Sequence, residues 1–551
     1  MKADSIEAES FPVPLGVPPR VANAAATSPW IPLLIFAVLF ALTIVLQIFN
    51  GAFRSEFNAY PDEPAHYVTS LMLREYITGP HPFSPLQFAE QYYYHYPKVA
   101  FGHWPPAFYI AQAFWMLLFS ASRASIRLEL AFTTALLAFS VWREFCRWFG
   151  NAPAILAAGL LVCLPLVQNA TDEEMAESLL VLSCFWSVVY FGRYLESGKL
   201  SESLYFALFF SLAVLTKGSG WLLTLVPPIA FVLTRKLRYF LRGSFWYAVL
   251  LVSVLCLPWQ LVTLRAAARG WAGGSQPSVS YTLSALPQFI GLLVWIVGPI
   301  LSALILAGII TRVLLPLFSK QVNAASAVMF SLLVSDWLFH ALVPAGVEDR
   351  KMIIAVPALL YFLFAGGLWA ADLLPFNERF LGWRRPLVAV TAAAIFFADV
   401  FAIPKSDHYG YSEAARYIVA NPKSHNAKIL VSSGSIGEGL LVSEVAMQEP
   451  RPKKTILRAT KELAQMDWNG ARYHSRFEKP SELLAYLRKT HVDSVVVDTY
   501  SAKQSFAHQK LVERAIATYP GVFERLAAFP GQVNSVPGNV RIYQVMAESA
   551  H

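Results

Sequence analysis

The chain has little charge and little cysteine for its length. Only 15% of its 551 residues are Asp, Glu, Lys or Arg, whereas an ordinary soluble domain has about 25%. This small charged fraction excludes a soluble enzyme and a disordered chain. The four cysteines show no paired spacing, which excludes a disulfide scaffold. What the chain has instead is 56% apolar residues, 14% aromatic residues and a mean hydropathy of +0.46.

Apolar runs of close to 20 residues recur along most of the chain, which is typical of a polytopic α-helical membrane protein. The first runs from Trp30 to Phe49 after a polar tail at residues 1–29, and its full length favours an uncleaved helix over a signal peptide. Ten further spans are predicted at residues 126–145, 152–169, 176–192, 203–216, 219–234, 243–264, 286–311, 324–343, 352–374 and 387–403. The sequence therefore predicts about 11 transmembrane helices together with juxtamembrane helices.

The segment from Pro105 to Ser120 is short for a span, and the distribution of basic residues decides how we interpret it. If this segment lies in the interface, the loops on one side of the membrane carry 13 Lys and Arg residues and the opposite loops carry 5. Because cytoplasmic loops are enriched in Lys and Arg, the N-terminal tail is predicted to be cytoplasmic. The same rule makes Pro105–Ser120 a half-buried helix. The net charge of +8 then needs no nucleic-acid partner.

Residues 404–551 differ in character from the transmembrane domain predicted at 30–403. Strands are predicted at 428–433, 494–499 and 540–545, and helices at 412–421, 480–490 and 505–518. With eleven spans before it, this α/β domain is predicted to be extracytoplasmic. Gly434, Gly437 and Gly439 follow the first strand, and their spacing favours a tight turn over a nucleotide-binding loop. The absence of organelle targeting signals favours a bacterial inner membrane with a periplasmic C-terminal domain, and the alternative is the endoplasmic reticulum membrane.

The first outer loop, residues 51–125, carries the residues with the clearest chemistry. Asp62 and Glu63 come shortly after the first span, where a carboxylate can act as a general base on an acceptor hydroxyl or amine. The alternative is structural, because Asp followed two places later by Pro also suits the start of a helix. Tyr93 and its neighbouring tyrosines can stack on a sugar or form an interfacial aromatic belt. His103 opens a His-Trp-Pro-Pro element and is a weak candidate metal ligand.

These motifs resemble those of the GT-C glycosyltransferases, in the branch that holds protein O-mannosyltransferases and lipid A aminoarabinose transferases. The resemblance rests on Asp62-Glu63 after the first span, on His103-Trp104-Pro105-Pro106 about 40 residues later, and on Arg127 at the start of the next span. It covers roughly residues 30–375. In the aminoarabinose branch Glu-Lys precedes the prolines, and this chain has His103-Trp104 there.

The resemblance implies a polyprenyl-phosphate sugar donor and a role for each matching residue. Asp62 and Glu63 would be catalytic, with Asp62 as the base of an inverting displacement. Asp172, Glu348, His103 and Tyr93 would contact substrate. Cations would hold the donor phosphate, since Arg and Lys suit phosphate binding, and the candidates are Arg127, Lys217, Arg350 and Lys351; Lys351 stands where the family usually has Tyr.

Two other functions are compatible with many spans and a few membrane-embedded charges. A transporter or flippase of a lipid-linked sugar should have charges or broken helices near the middle of the membrane, often in two repeated halves. Here the charges lie at outer helix ends and no repeat is visible. A scaffold that only presents the outer domain would leave the charged first loop unexplained. The sequence therefore favours a glycosyltransferase, names no certain cofactor and leaves a divalent metal open.

Overall fold

The computed structural model describes most of the chain. The described residues are 30–80, 84–100, 102–266, 277–319, 322–374, 386–394 without 388 and 392, 407–421, 427–466, 472–500 and 506–546. They form a helical unit of long apolar helices, a helical first loop that packs on one end of that unit, and a C-terminal α/β region.

Among the described residues, the helical unit contains eight helices that are long and apolar enough to cross a membrane, or nine if one bent pair forms a single span. The chain is therefore an integral membrane protein, as its composition predicts. Its helices are α1 (Trp30–Asn50), α5 (Arg123–Phe149), α6 (Asn151–Cys163), α7 (Pro165–Asp172), α8 (Glu177–Ser197), α9 (Leu200–Thr216), α10 (Val226–Leu233), α11 (Gly243–Ala266), α12 (Val279–Val297), α13 (Pro299–Ile309), α14 (Leu315–Ser319), α15 (Ala324–Leu342) and α16 (Val356–Leu373). Short 3-10 segments precede α10 (Gly218–Leu225) and α16 (Asp349–Ala355), and a π-helical turn (Ile310–Leu314) joins α13 to α14.

Several predicted spans differ from the helices observed. The prediction of one continuous helix at 286–311 is wrong, because Gly298 at φ +78 and Pro299 divide this stretch into α12 and α13. The predicted spans at 203–216 and 219–234 correspond to the helices Leu200–Thr216 and Gly218–Leu233, which are apolar but shorter than the long candidate spans, and the second begins as a 3-10 segment. Most of the predicted span at 387–403 lies outside the described residues.

Helices α12 to α14 together carry the chain once from one end of the helical unit to the other. The Tyr281 hydroxyl, near the start of α12, donates to the carbonyl oxygen of Gly346, close to the first loop. At the end of α14, the carbonyl oxygen of Leu317 accepts a hydrogen bond from Arg235, which lies at the opposite end. The broken stretch therefore makes the single net crossing that the sequence predicts.

The predicted span at 152–169 is also bent. Helices α6 and α7 meet at an angle of 57° between Cys163 and Pro165, where the missing N–H of proline interrupts the helical ladder. The bend brings Asp172, the last residue of α7, under the first loop. The Asn50 side chain at the end of α1 donates to its carboxylate at 2.7 Å.

Three helices form the first loop: α2 (Glu63–Thr78), α3 (Pro85–His95) and α4 (Ala107–Leu118). Helix α4 has 12 residues, fewer than a span needs, and its last residue is 77% exposed. Its length agrees with the prediction that Pro105–Ser120 does not cross the membrane.

The C-terminal region has a five-stranded mixed sheet with the order β2-β1-β5-β7-β6. The strands are β1 (Lys428–Ser432), β2 (Thr455–Arg458), β5 (Ser494–Asp498), β6 (Phe523–Val533) and β7 (Val536–Val545), with a small hairpin of β3 (Ala464–Gln465) and β4 (His474–Ser475). The helices are α17 (Tyr411–Ala420), α18 (Ser435–Gln448), α19 (Ala459–Glu462), α20 (Pro480–Lys489) and α21 (Ala507–Thr518). All three predicted strands and helices are present, whereas β2 and β6 were not predicted.

The prediction of a tight turn at the three glycines is wrong. Gly437 and Gly439 lie inside α18, since the helix begins at Ser435. Glycine is needed here because a Cβ on Gly437 would lie 2.5 Å from the Tyr411 hydroxyl oxygen and 2.8 Å from Asp498 Oδ2. Close packing of α18 on the sheet therefore explains this glycine.

The C-terminal region packs against the first loop. The carboxylate of Glu56, which is fully buried, accepts the backbone N–H groups of Tyr409 and Ser412 at 2.6 and 2.9 Å at the start of α17. Arg123 pairs with Glu444 at 2.8 Å, and the Tyr96 hydroxyl donates to Glu449 at 2.5 Å. These contacts place the α/β region on the same side of the helical unit as Asp62.

Candidate active site

The turn from Ala59 to Glu63 leads into α2 and carries the Asp-Glu pair. Asp62 is the N-cap residue of α2, and Pro64 occupies the first turn, where its missing N–H costs nothing. The positive end of the helix dipole therefore points at both carboxylates. The two side chains nevertheless have different surroundings.

Glu63 is fully buried and bound on both oxygens. Its Oε1 accepts the backbone N–H groups of Ala59 at 2.6 Å and Tyr60 at 3.1 Å, and its Oε2 accepts that of Glu174 at 2.7 Å. Burial raises the pKa of Glu63, and the guanidinium of Arg127, 3.7 Å away, opposes this effect. Glu63 therefore holds the turn and presents no free oxygen to a substrate.

Asp62 is only partly buried and is not used for capping. Its side chain makes no cap hydrogen bond to α2, and within the described part of the chain it has no hydrogen bond or ion pair. The charge of Asp62 affects the pKa values of Lys98, His103 and Tyr109, so these residues are its neighbours. Asp62 is thus the member of the pair whose carboxylate can receive a proton.

Arg127 lies behind the turn with 1% of its surface exposed. Its guanidinium donates to the carbonyl oxygens of Asp172 and Glu56 and lies 5.1 Å above the ring of Phe57. A side chain enclosed in this way has no surface for a donor phosphate. The structure places Arg127 as the internal counter-charge of Glu63.

Three of the predicted phosphate ligands do gather near the turn. Lys217 pairs with Glu177 at 2.5 Å, Arg350 pairs with Glu348 at 2.5 Å, and Lys351 donates to the carbonyl oxygen of Gly346 at 2.6 Å. All three are partly exposed and close enough to repel one another. An anionic phosphate is the kind of ligand that relieves such repulsion.

Tyr60 joins this cation cluster to Asp62. The guanidinium of Arg350 lies 4.3 Å above the Tyr60 ring. Burial raises the pKa of Tyr60 to about 12, and the charge of Glu173 adds to this, so its hydroxyl stays protonated. Two residues span at most about 7 Å of backbone, so Tyr60 and Asp62 belong to the same turn, and Tyr60 joins that turn to Arg350. The sequence reasoning missed Tyr60, although it stands two places before Asp62.

The loop after α7 supplies further acids below the turn. Burial raises the pKa of Glu173 and of Glu174, and neighbouring carboxylates add to it. Asp172, the residue predicted to contact substrate, is mostly enclosed and bound to Asn50. Its carboxylate is therefore held by α1 of the helical unit, to which Asn50 belongs.

Of the predicted aromatic and histidine residues, His103 lies beside Asp62 whereas Tyr93 lies apart from it. Burial lowers the pKa of His103, which lies beside Asp62 and packs its ring on Trp104 at 4.4 Å. Burial lowers the pKa of His66 to about 3, and its Nδ1 lies 2.9 Å from the Tyr109 hydroxyl. Tyr93 is 43% exposed on α3, and no contact among the described residues joins it to Asp62 or the cations.

The described residues offer one group with three possible metal ligands, formed by Glu56, His408 and Glu413 and not by His103. Both Glu56 oxygens already accept backbone N–H groups at the start of α17. This arrangement does not fit a catalytic metal beside Asp62, and no step of the mechanism below passes through one.

Residues 103–261 match the family of dolichyl-phosphate-mannose-protein mannosyltransferases. No curated protein sequence matches the chain. Among solved structures, ArnT from Cupriavidus metallidurans bound to undecaprenyl phosphate is similar at 13% identity and a TM-score of 0.54, over 94% of this chain and 99% of that one. The archaeal oligosaccharyltransferase AglB from Archaeoglobus fulgidus, in complex with an inhibitory peptide and a dolichol-phosphate, is similar at 13% identity and a TM-score of 0.57, over 94% and 75%. The arabinofuranosyltransferase AftD from Mycobacteria is similar at 15% identity and a TM-score of 0.51, over 94% and 42%.

The structural similarities show the fold, and the family match indicates the chemistry. Together they show that the chain is an integral membrane protein with the fold of these glycosyltransferases, and that residues 103–261 resemble the mannosyltransferase family. The matched segment includes His103, Arg127, Asp172 and Lys217 but not Asp62.

Proposed function

We propose that this protein transfers a sugar from a polyprenyl-phosphate donor to an acceptor on the outer side of a bacterial inner membrane. The observation that carries the proposal is the unpaired carboxylate of Asp62 beside a cluster of Lys217, Arg350 and Lys351. The lipid phosphates bound to ArnT and AglB support a donor of this chemistry. The acceptor is a lipid, a glycan or a protein with a hydroxyl or amine group.

The reaction is a single displacement with inversion at the anomeric carbon. Asp62 accepts the proton of the acceptor group, whose oxygen or nitrogen attacks the anomeric carbon. The bond from that carbon to the phosphate oxygen breaks, and polyprenyl phosphate leaves with its new charge held by the cation cluster. Glu63 and Arg127 have no contact with the reacting atoms and instead hold the turn that presents Asp62.

A transporter of a lipid-linked sugar is not favoured. A transporter places its charged or broken elements near the middle of the membrane, whereas these charges lie at one end of the helical unit together with the first loop. The family match and the similar structures are also of glycosyltransferases.

The test is transfer from a panel of radiolabelled polyprenyl-phosphate sugars in membranes. We expect Asp62→Asn to lower kcat by about 100- to 10,000-fold, since it removes the base, while expression and thermal stability stay near wild type. Glu90→Gln is the matched control, because Glu90 is an exposed carboxylate on α3 of the same loop. Transfer by Asp62→Asn at the wild-type rate would remove Asp62 from the mechanism.

A further inference from the structure

Lys98 lies between the turn that carries Asp62 and the C-terminal α/β region. Its Nζ donates to the carbonyl oxygen of Pro61 at 2.8 Å, one residue before Asp62. Burial lowers the pKa of Lys98 to about 7, and the charges of Arg458 and Lys461 act in the same direction. Asp62 and Glu438 oppose this effect. The ammonium thus touches the backbone of the candidate active site while it is enclosed by another part of the chain.

Gly439 of α18 closes over this lysine. A Cβ at Gly439 would lie 2.9 Å from Lys98 Cε, 3.2 Å from Lys98 Nζ and 3.0 Å from Pro64 Cγ. Both neighbours belong to the active-site side of the contact, since Pro64 is in the first turn of α2. A larger residue at position 439 would therefore push on the lysine and on the start of α2 together.

Arg458 fixes the two sides of the contact relative to each other. Its Nη1 donates to the carbonyl oxygen of Pro97, the residue before Lys98, at 3.4 Å. Its Nε donates to Glu438, the residue before Gly439, at 3.0 Å. Glu438 is fully buried and also accepts the backbone N–H of Thr460 at 2.8 Å. The guanidinium of Arg458 therefore ties the segment that carries Lys98 to the helix that carries Gly439.

We propose that Lys98 is a positioning residue for Asp62, and that the C-terminal region sets its place through Gly439 and Arg458. This inference rests on the proposed function, in which Asp62 is the base. By holding the Pro61 carbonyl, Lys98 fixes the backbone from which the Asp62 side chain projects. The α/β region thereby takes part in transfer without touching either substrate.

The first test is the kinetics of Lys98→Met in the purified full-length protein. Methionine keeps the length of the side chain and removes the donor to Pro61. Because a displacement of about 1 Å at a reacting group costs on the order of 100-fold in rate, we expect kcat to fall about 10- to 100-fold. The donor KM should stay within about twofold, since Lys98 is not among the cations assigned to the phosphate.

The second test displaces Lys98 by a substitution in the C-terminal region. Gly439→Ala should lower kcat in the wild-type chain and lower it less in the Lys98→Met background, where no hydrogen bond to Pro61 is left to lose and only the contact with Pro64 remains. Gly521→Ala is the matched control, since a Cβ at this glycine of the same region meets nothing within 4 Å. Additive losses from Gly439→Ala and Lys98→Met would overturn the proposed route.

The pH profile gives a signature that a packing defect does not. The wild-type kcat should fall modestly as pH rises through about 7, because the neutral amine of Lys98 donates a weaker hydrogen bond to Pro61 than its ammonium does, and this decline should be absent in Lys98→Met. The charged groups that face the ammonium are Arg458, Lys461, Asp62 and Glu438, as described above. An identical profile in both proteins would contradict the proposal.

Hydrogen–deuterium exchange separates this inference from the proposed function. Exchange of a peptide covering residues 59–68 should increase in Lys98→Met and Gly439→Ala and stay unchanged in Gly521→Ala. If wild type transfers no sugar from any donor, the proposed function fails and the exchange result still decides whether Lys98 orders the turn. Unchanged exchange, or an active wild type matched by Lys98→Met, would overturn the role of Lys98.

Discussion

Replacing Arg127 separates two accounts of this residue. If it binds the donor phosphate, as the resemblance implies, its loss weakens donor binding and leaves the fold intact. In the structure its guanidinium is enclosed, donates to two carbonyl oxygens and faces the carboxylate of Glu63 at 3.7 Å. Removing one partner of a buried charge pair costs about 3–5 kcal/mol, because the other charge remains buried. We therefore expect Arg127→Met to lower the free energy of unfolding by about that amount.

The assay is denaturant-induced unfolding of the purified protein in detergent, together with transfer kinetics. Arg147→Met is the control, because Arg147 lies on the same helix with its side chain 51% exposed and should cost about 1 kcal/mol or less. Adding Glu63→Gln to Arg127→Met removes the stranded charge and should recover about 1–2 kcal/mol. Wild-type stability in Arg127→Met, with only the donor KM raised, would refute the positional account and restore the phosphate role.

Three further predictions follow from other contacts. Burial raises the pKa of Glu444 to about 7. The contribution of this group to stability is therefore complete below its ordinary pKa of 4.5 and is lost as pH rises through about 7. At about 1.4 kcal/mol per pH unit this contribution is roughly 3 kcal/mol, and Glu444→Gln should remove it from a pH series of denaturant unfolding. Arg350→Lys cannot stack on Tyr60 and should raise the donor KM about tenfold in transfer assays. Gly437→Ala brings a methyl group to 2.8 Å from Asp498 Oδ2 and should lower the unfolding free energy by about 1–3 kcal/mol.

Each of these has a result that would contradict it. A pH dependence of unfolding that Glu444→Gln leaves intact would exclude that group as its source. An unchanged donor KM in Arg350→Lys would show that stacking on Tyr60 does not hold the phosphate cluster in place. A Gly437→Ala protein as stable as Gly521→Ala would mean that α18 can shift away from the sheet at no cost.

Much of the fold can be predicted from the sequence because apolar length and strand alternation are local signals. The first span from Trp30, the strands at 428–433 and 494–499, and the three helices predicted in the C-terminal region follow from such patterns and are present. The break at Gly298-Pro299 was missed because the surrounding residues stay apolar across it. The strand at 523–533 was missed because it is a largely exposed edge strand without a buried alternation.

The candidate site could be located from the sequence but not resolved. Asp62 and Glu63 are neighbours of the same chemical type, and only three-dimensional contacts show that Glu63 is bound on both oxygens while Asp62 is not. The resemblance assigned Arg127 to the donor phosphate, and nothing in the sequence around Arg127 indicates that its side chain is enclosed. Lys98 has no motif of its own, since its role depends on contacts with residues more than 300 positions away.

The bond between Glu56 and the start of α17 has a consequence for the order of events during synthesis. Glu56 is translated 353 residues before Tyr409, which donates to its carboxylate. At about 5–20 residues per second, the ribosome needs roughly 20–70 s to cover that interval. During this time the first loop lacks the C-terminal residues against which it packs. A nascent chain stalled before residue 409 should therefore insert its first helices normally and still hold a first loop that proteases cut readily.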